Sequence, residues 1–158
     1  MKPVTYVVVK SWSLIMSDNP FASYSITSPR KYSENLKSFC QTGGNQVTEM
    51  YAPFKRQVDF WYAAFLYAVN NELEPVVESD TVTMTPASIL STDPHRIPHI
   101  QLAYFGTYED IEALAEHKAV FDWAQQMANA GIPRLIAVLQ DIEEPLINYL
   151  EFLESQAS

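Results

Sequence analysis

Glycine is scarce: four residues against ten prolines. A turn-rich β-sandwich needs many positions where only glycine fits, so this ratio favours helices with sharp, rigid ends. The only Gly-Gly pair, at 43–44, lacks the following Lys-Ser/Thr that completes a phosphate-cradling loop. Cysteine occurs once, as Cys40. A single thiol forms no internal disulfide and no paired-cysteine zinc pattern. No His-Glu-x-x-His motif is present, and no apolar run approaches the roughly 20 residues a membrane span requires. Val4–Val9 is interrupted by Thr5 and Tyr6, and Lys10 follows, with no small-residue cleavage pattern after it. The expectation is a cytoplasmic protein without a membrane contact.

Positive charge is also short in the second half. Residues 70–158 carry three Lys/Arg (Arg96, Lys118, Arg134) against 15 carboxylates, a net of −12. Residues 1–69 carry seven cations against four carboxylates, a net of +3, so the whole chain stands at −9. Such a split suggests two faces with different partners.

What is present is apolar and aromatic: 47% hydrophobic and 13% aromatic residues in 158. That suits one domain over 1–158, with 1–28 as an N-terminal strand or arm and 29–158 as a helical body. The β-branched run Val4–Val9 reads as a strand, and Phe21–Ile26 alternates loosely enough to pair with it. Asp18-Asn-Pro20 marks a turn. Ser28-Pro29 predicts a helix opening, with Tyr32, Leu36, Phe39 and Cys40 on one face and Thr42-Gly-Gly44 as the stop.

The densest stretch is Tyr51–Val69. Phe54, Val58, Trp61, Tyr62, Phe65 and Val69 follow helical spacing from a start at Pro53. The remaining positions widen the stripe until only Lys55, Arg56 and Asp59 look solvated. A helix apolar nearly all round is a central one. The fold class is therefore mainly α: a compact bundle of about six helices around a central helix near 53–69, with a short N-terminal β element. Val82 and Met84, on alternate positions in Asp80–Thr85, suggest a short strand or an extended loop, and Thr85-Pro86 a brief helical turn. Ile97–Tyr104 predicts a short helix closed by Gly106. Thr107-x-x-Asp110 resembles a capping box for a helix from Tyr108 to Ala130, whose phase drifts near His117. Gly131 and Pro133 predict that helix's stop and the next one's start. A last helix carries Leu146, Ile147, Leu150, Phe152 and Leu153.

Candidate chemistry is thin. His95 and His99 share a helical spacing but have no third ligand near in sequence, so no metal and no cofactor is expected. Cys40, three residues after Lys37, reads as a small core residue. The residues that stand out are Arg30, Lys31, Lys37, Lys55 and Arg56. They cluster at two proline-led helix starts whose dipoles would add to anion attraction, so they form a candidate face for a protein partner or for nucleic acid. Residues 141–158, with five carboxylates and no cation, read as a docking helix or a mimic of DNA charge. An enzyme would need a polar pocket that no motif announces. Trp12, Phe21 and Tyr24 suggest an arm through which a second copy could pair.

Pro29-Arg-Lys-Tyr32, Ala52-Pro-Phe-Lys55, Asp59, Ala63-Ala64 and Glu74-Pro-Val76 together resemble small helical proteins encoded beside bacterial DNA sulfur-modification (Dnd) systems. Ala128-Asn-Ala-Gly131, followed by Pro145-Leu146, is similar to their helix stop before a closing helical pair. The resemblance runs from residue 29 onward. It departs after the central helix, where Asn70–Pro75 is acidic rather than glycine-rich and basic. It implies a non-enzymatic accessory or adaptor protein of a DNA-modification or anti-phage defence system, a protein partner within that system, and direct DNA contact as an alternative.

Overall fold

The computed structural model describes residues 19–42 and 48–158. The expected strand at Val4–Val9, Trp12 and the Gly43-Gly44 stop lie outside them. The described chain is mainly helical. Its elements are β1 (Ser25–Pro29), α1 (Arg30–Ser38), α2 (Gln57–Asn70), β2 (Thr81–Pro86), a 3-10 helix (Ala87–Thr92), α3 (Arg96–Tyr108), a second 3-10 helix (Glu112–Ala115), α4 (His117–Leu139) and α5 (Pro145–Ala157).

The β element is one antiparallel pair, in which β1 takes β2 as its partner. Asn19 opens the turn before it by accepting the Phe21 amide at 2.9 Å, and its side-chain amide reaches the Ala87 carbonyl at 3.1 Å. Pairing of Ser28 with Val82 and Pro29 with Thr81 changes the expected start of α1. Ser28 is buried in the strand and caps nothing, so α1 begins at Arg30, whose amide donates to the Asp80 carbonyl at 3.0 Å. Phe21 is fully buried and packs on Phe121, ring centroids 5.6 Å apart, with half-buried Tyr24 beside it. These two rings belong to the core rather than to an exposed arm.

The central helix starts four residues later than its apolar pattern predicts. Residues 53–55 are held extended: the Phe54 amide donates to Phe39 O, while Gln41 and Thr42 amides donate to Phe54 O and Lys55 O. With those groups committed to the chain at 39–42, the helix begins at Gln57. The Asp59 carboxylate then accepts the Arg56 amide at 2.9 Å. From there the sequence reading holds. Trp61 and Phe65 face one buried cluster with Phe121, Trp123 and Ile100, while Phe60 and Ala64 face a second with Leu36, Ile132 and Leu139.

The largest departure is α4. It continues through Gly131 and Pro133 to Leu139, instead of stopping at Gly131. A Cβ at Gly131 would stand 1.9 Å from the Ala64 carbonyl oxygen, so the glycine is where α4 lies directly against the backbone of α2. Packing here overrides the local stop signal. Gly106 likewise lies inside α3, which ends at Glu109 in the left-handed conformation, φ 54°. The phase drift near His117 is a true break, between the second 3-10 helix and α4. Asp110 acts alone as the cap, accepting the amides of Glu112 and Ala113.

Candidate functional site

Four of the five predicted site cations stand beside carboxylates. Arg30 Nε lies 2.8 Å from Asp80, Lys31 Nζ 3.3 Å from Glu78, Lys37 Nζ 3.4 Å from Glu34 and Arg56 Nη2 3.4 Å from Asp59. Lys55 is exposed and makes no ion pair among the described residues. Arg30 and Lys31 do sit at the start of α1, but carboxylates arriving with the β2 segment already face them. Lys55 and Arg56 precede α2 in extended backbone, so its first turn does not carry them. Arg30–Asp80 is an exposed pair, whereas Glu78 and Asp59 are largely covered; each carboxylate offsets part of the charge its cation would present to a polyanion.

Asp59 instead belongs to a clasp between α2 and α3. Arg96 has only 6% of its surface exposed; its Nη2 bonds the Asp59 carboxylate and its Nε lies 3.8 Å from Asp93. Its guanidinium carbon sits 5.2 Å from the centroid of the Tyr62 ring. The Tyr62 hydroxyl bonds Nδ1 of His99, and His99 stacks on His95, centroids 6.0 Å apart. Burial raises the Asp59 pKa, but the bonds from Arg96 and Arg56 outweigh it and hold the carboxyl below its ordinary 3.8. Burial, helped by the Asp93 carboxylate against Arg96, pushes the Tyr62 phenol up to about 12. At neutral pH the clasp is thus an ionised pair beside a neutral phenol. Among the described residues no three His, Cys, Asp or Glu side chains gather to hold a metal ion. Cys40 is buried, donates its thiol to the Leu36 carbonyl at 3.3 Å, and is pushed up to about 12 by burial and then by the Asp59 carboxylate. It is a core residue.

The clasp forms one end of a cavity of about 320 Å³ between α2, α4 and α5. Five aromatic side chains line it: Phe54, Tyr62, Tyr67, Tyr149 and Phe152. Leu66, Leu135 and Leu153 fill the spaces between them, Asn70 and Gln156 stand at the far end, and Asp59 is the one charged lining residue. Tyr67 of α2 stacks on Phe152 at 5.3 Å, and Phe54, in the segment before α2, meets Tyr149 at 5.0 Å, so rings hold α5 in place. Burial raises the Tyr149 phenol above its ordinary 10.0. At its base, α5 is fixed by Asn148, which is buried and bonds Leu139 O at 3.1 Å, Glu143 O at 2.7 Å and the Glu143 amide at 3.2 Å. Farther along α5, Leu150 and Leu153 stay 48% and 43% exposed.

Sequence reasoning reads 141–158, with Leu146, Leu150, Phe152 and Leu153 beside its acids, as a docking helix or a mimic of DNA charge. It placed Tyr62 and Tyr67 on a helix with too much apolar surface for one neighbour. It missed that these two sets meet, because spacing within each helix carries no information on which helices pair. It also took Asp59 for a solvated residue, whereas its side chain is 21% exposed and paired with Arg96. A lone arginine in the apolar sequence 96–105 was the available signal.

No described helix is long and apolar enough to cross a membrane. No protein-family model matches this chain, and comparisons with curated proteins and with solved structures likewise return no match.

Proposed function

We propose that this chain is a non-enzymatic accessory or adaptor protein that works in the cytoplasm through protein–protein contacts, with the α2–α5 groove as its contact surface. The observation that carries this reading is the aromatic-lined cavity with half-exposed Leu153 in its lining and exposed Leu150 three residues before it on α5. Contiguous apolar surface beside a concave, ring-lined space is what a partner's buried anchors require. Assignment to a bacterial DNA-modification or anti-phage defence system rests on the resemblance carried by Pro29–Tyr32, Ala52–Lys55 and Ala128–Gly131.

The test is capture of partners from the source cells by the wild-type chain and by the double variant Leu150→Ser/Leu153→Ser. Both leucines are half-exposed, so the variant keeps its fold. The expected outcome is a partner retained by the wild type and lost by the variant. Duplex DNA titrated at low salt provides the other arm. Tight binding with a steep salt slope, removed by Lys31→Glu/Lys55→Glu, would replace this reading with a nucleic-acid-binding one. Competition with DNA for a basic partner would instead favour a DNA-mimic inhibitor.

A further inference from the structure

We infer that the occupant of the groove is a cationic amphipathic helix presented by a partner protein. This rests on the adaptor reading above and specifies the chemistry of the partner.

Apart from Phe54, whose amide and carbonyl are already bonded to the chain at 39–41, the walls of the groove are helices. Their backbone hydrogen bonds are internal, so they offer no strand edge to extend, and recognition must come from side-chain anchors. From Asp59 to Asn70 the α2 wall runs about 16 Å, the rise of roughly three helical turns. A helix of similar length can place apolar residues at i, i+3 or i+4, and i+7 along it. Leu153 lines the cavity and stays 43% exposed, and Leu150, three residues before it on α5, is 48% exposed, so the two give such a helix something to cover.

Charge selects among apolar helices. On α5 the solvent side carries Glu151 and Glu154, both exposed, with Glu143 and Glu144 exposed just before it. After Arg134 the sequence has five carboxylates and no Lys or Arg. Among the described residues no cation pairs with those acids, unlike the cations at 30–56, each of which but Lys55 has a carboxylate beside it. An acidic helix or a nucleic acid approaching α5 meets like charge. A helix with lysines or arginines flanking its apolar face meets complementary charge, which speeds docking and fixes its orientation. Asp59 does not compete for those cations, because Arg96 and Arg56 already hold it.

The experiment uses the full chain and three synthetic peptides of equal length: Leu/Lys at amphipathic helical spacing, Leu/Glu at the same spacing, and Lys/Ser without an apolar face. Binding is read by fluorescence anisotropy, and the site by NMR shifts of the aromatic rings. The Leu/Lys peptide should bind, shifting Tyr67, Tyr149 and Phe152. Affinity should fall by about tenfold in Leu150→Ser/Leu153→Ser, as for loss of central anchors. Glu151→Gln/Glu154→Gln should weaken binding and flatten its salt dependence. Equal binding of Leu/Glu or Lys/Ser, absence of binding by all three, or shifts confined to residues away from the groove would overturn the cationic-helix assignment. The adaptor reading fails separately, if the double leucine variant retains every partner that the wild-type chain captures.

Discussion

Gly131 of α4 lies against the backbone of Ala64 in α2, so close that a Cβ there would stand 1.9 Å from the Ala64 carbonyl oxygen and 2.7 Å from its carbonyl carbon. Backbone cannot rotate away as a side chain can. Gly131→Ala should therefore separate the two helices and destabilise the protein by about 3 kcal/mol, the upper range for overpacking a tight core. That outweighs the roughly 1 kcal/mol by which alanine improves helix propensity. Gly106, inside α3 with nothing within 4 Å of its added Cβ, should show the opposite sign. Gly106→Ala should stabilise by about 0.5–1 kcal/mol. Urea midpoints of the two variants check both.

The Asp59–Arg96 pair should make stability fall in acid. The folded carboxyl titrates below its ordinary 3.8 because the Arg96 and Arg56 bonds overcome the effect of burial. Its contribution is present in full above 3.8 and is lost as pH falls through the lower, folded value. Asp59→Asn should remove that acid dependence, giving a flatter curve of urea midpoint against pH. At neutral pH it should destabilise by about 3 kcal/mol, because the Arg96 guanidinium stays buried without its carboxylate. Loss of acid stability as steep in Asp59→Asn as in the wild type would exclude this pair as the source.

Cys40 should be inert in the native protein. Its thiol is buried and pushed up to about 12, so the reactive thiolate is almost absent at neutral pH. Labelling by a thiol reagent should proceed at the rate of unfolding in buffer and rapidly in concentrated urea. Fast native labelling would mean that the chain at 39–42 opens away from Phe54.

Asn148 should decide how firmly α5 is held. Its amide nitrogen satisfies Leu139 O and Glu143 O, and its oxygen accepts the Glu143 amide. Asn148→Ala leaves those groups without this partner and should cost about 2 kcal/mol. Asn148→Asp should cost more, since a carboxylate would face two carbonyl oxygens. Thermal melts and limited proteolysis across residues 139–145 measure the effect.

The sequence made the helical character and the centrality of α2 legible, because Val58–Val69 is apolar on nearly every side and periodicity reports that directly. It also reached α5 and, as one of two readings, β2, but the helix expected to open at Tyr108 opens at His117. It misjudged the places where long-range contacts compete with local signals. Gly131 and Pro133 look like a stop and a start, yet the close approach to Ala64 needs a glycine within a continuous helix. Pro53 looks like a helix opening, yet the pairing of Phe54 with Cys40 keeps that segment extended. The candidate site was half legible. The acidic, leucine-bearing α5 stood out, but the stacking of its Phe152 on Tyr67 is a tertiary fact. The cations were visible as residue types, while their neutralisation by Glu78 and Asp80 depends on a sheet pairing between segments some 50 residues apart.

Helix α2 is a member of both buried clusters, with Trp61 and Phe65 in one and Phe60 and Ala64 in the other. Opening either side uncovers the shared helix and loosens the other, so the two clusters melt cooperatively. Amides in the middle of α2 should exchange with solvent only through global unfolding. Helix α5, with Asn148 its one buried residue, can fray by itself. The α5 wall of the cavity is therefore a segment that can open and reclose while the rest of the molecule stays intact.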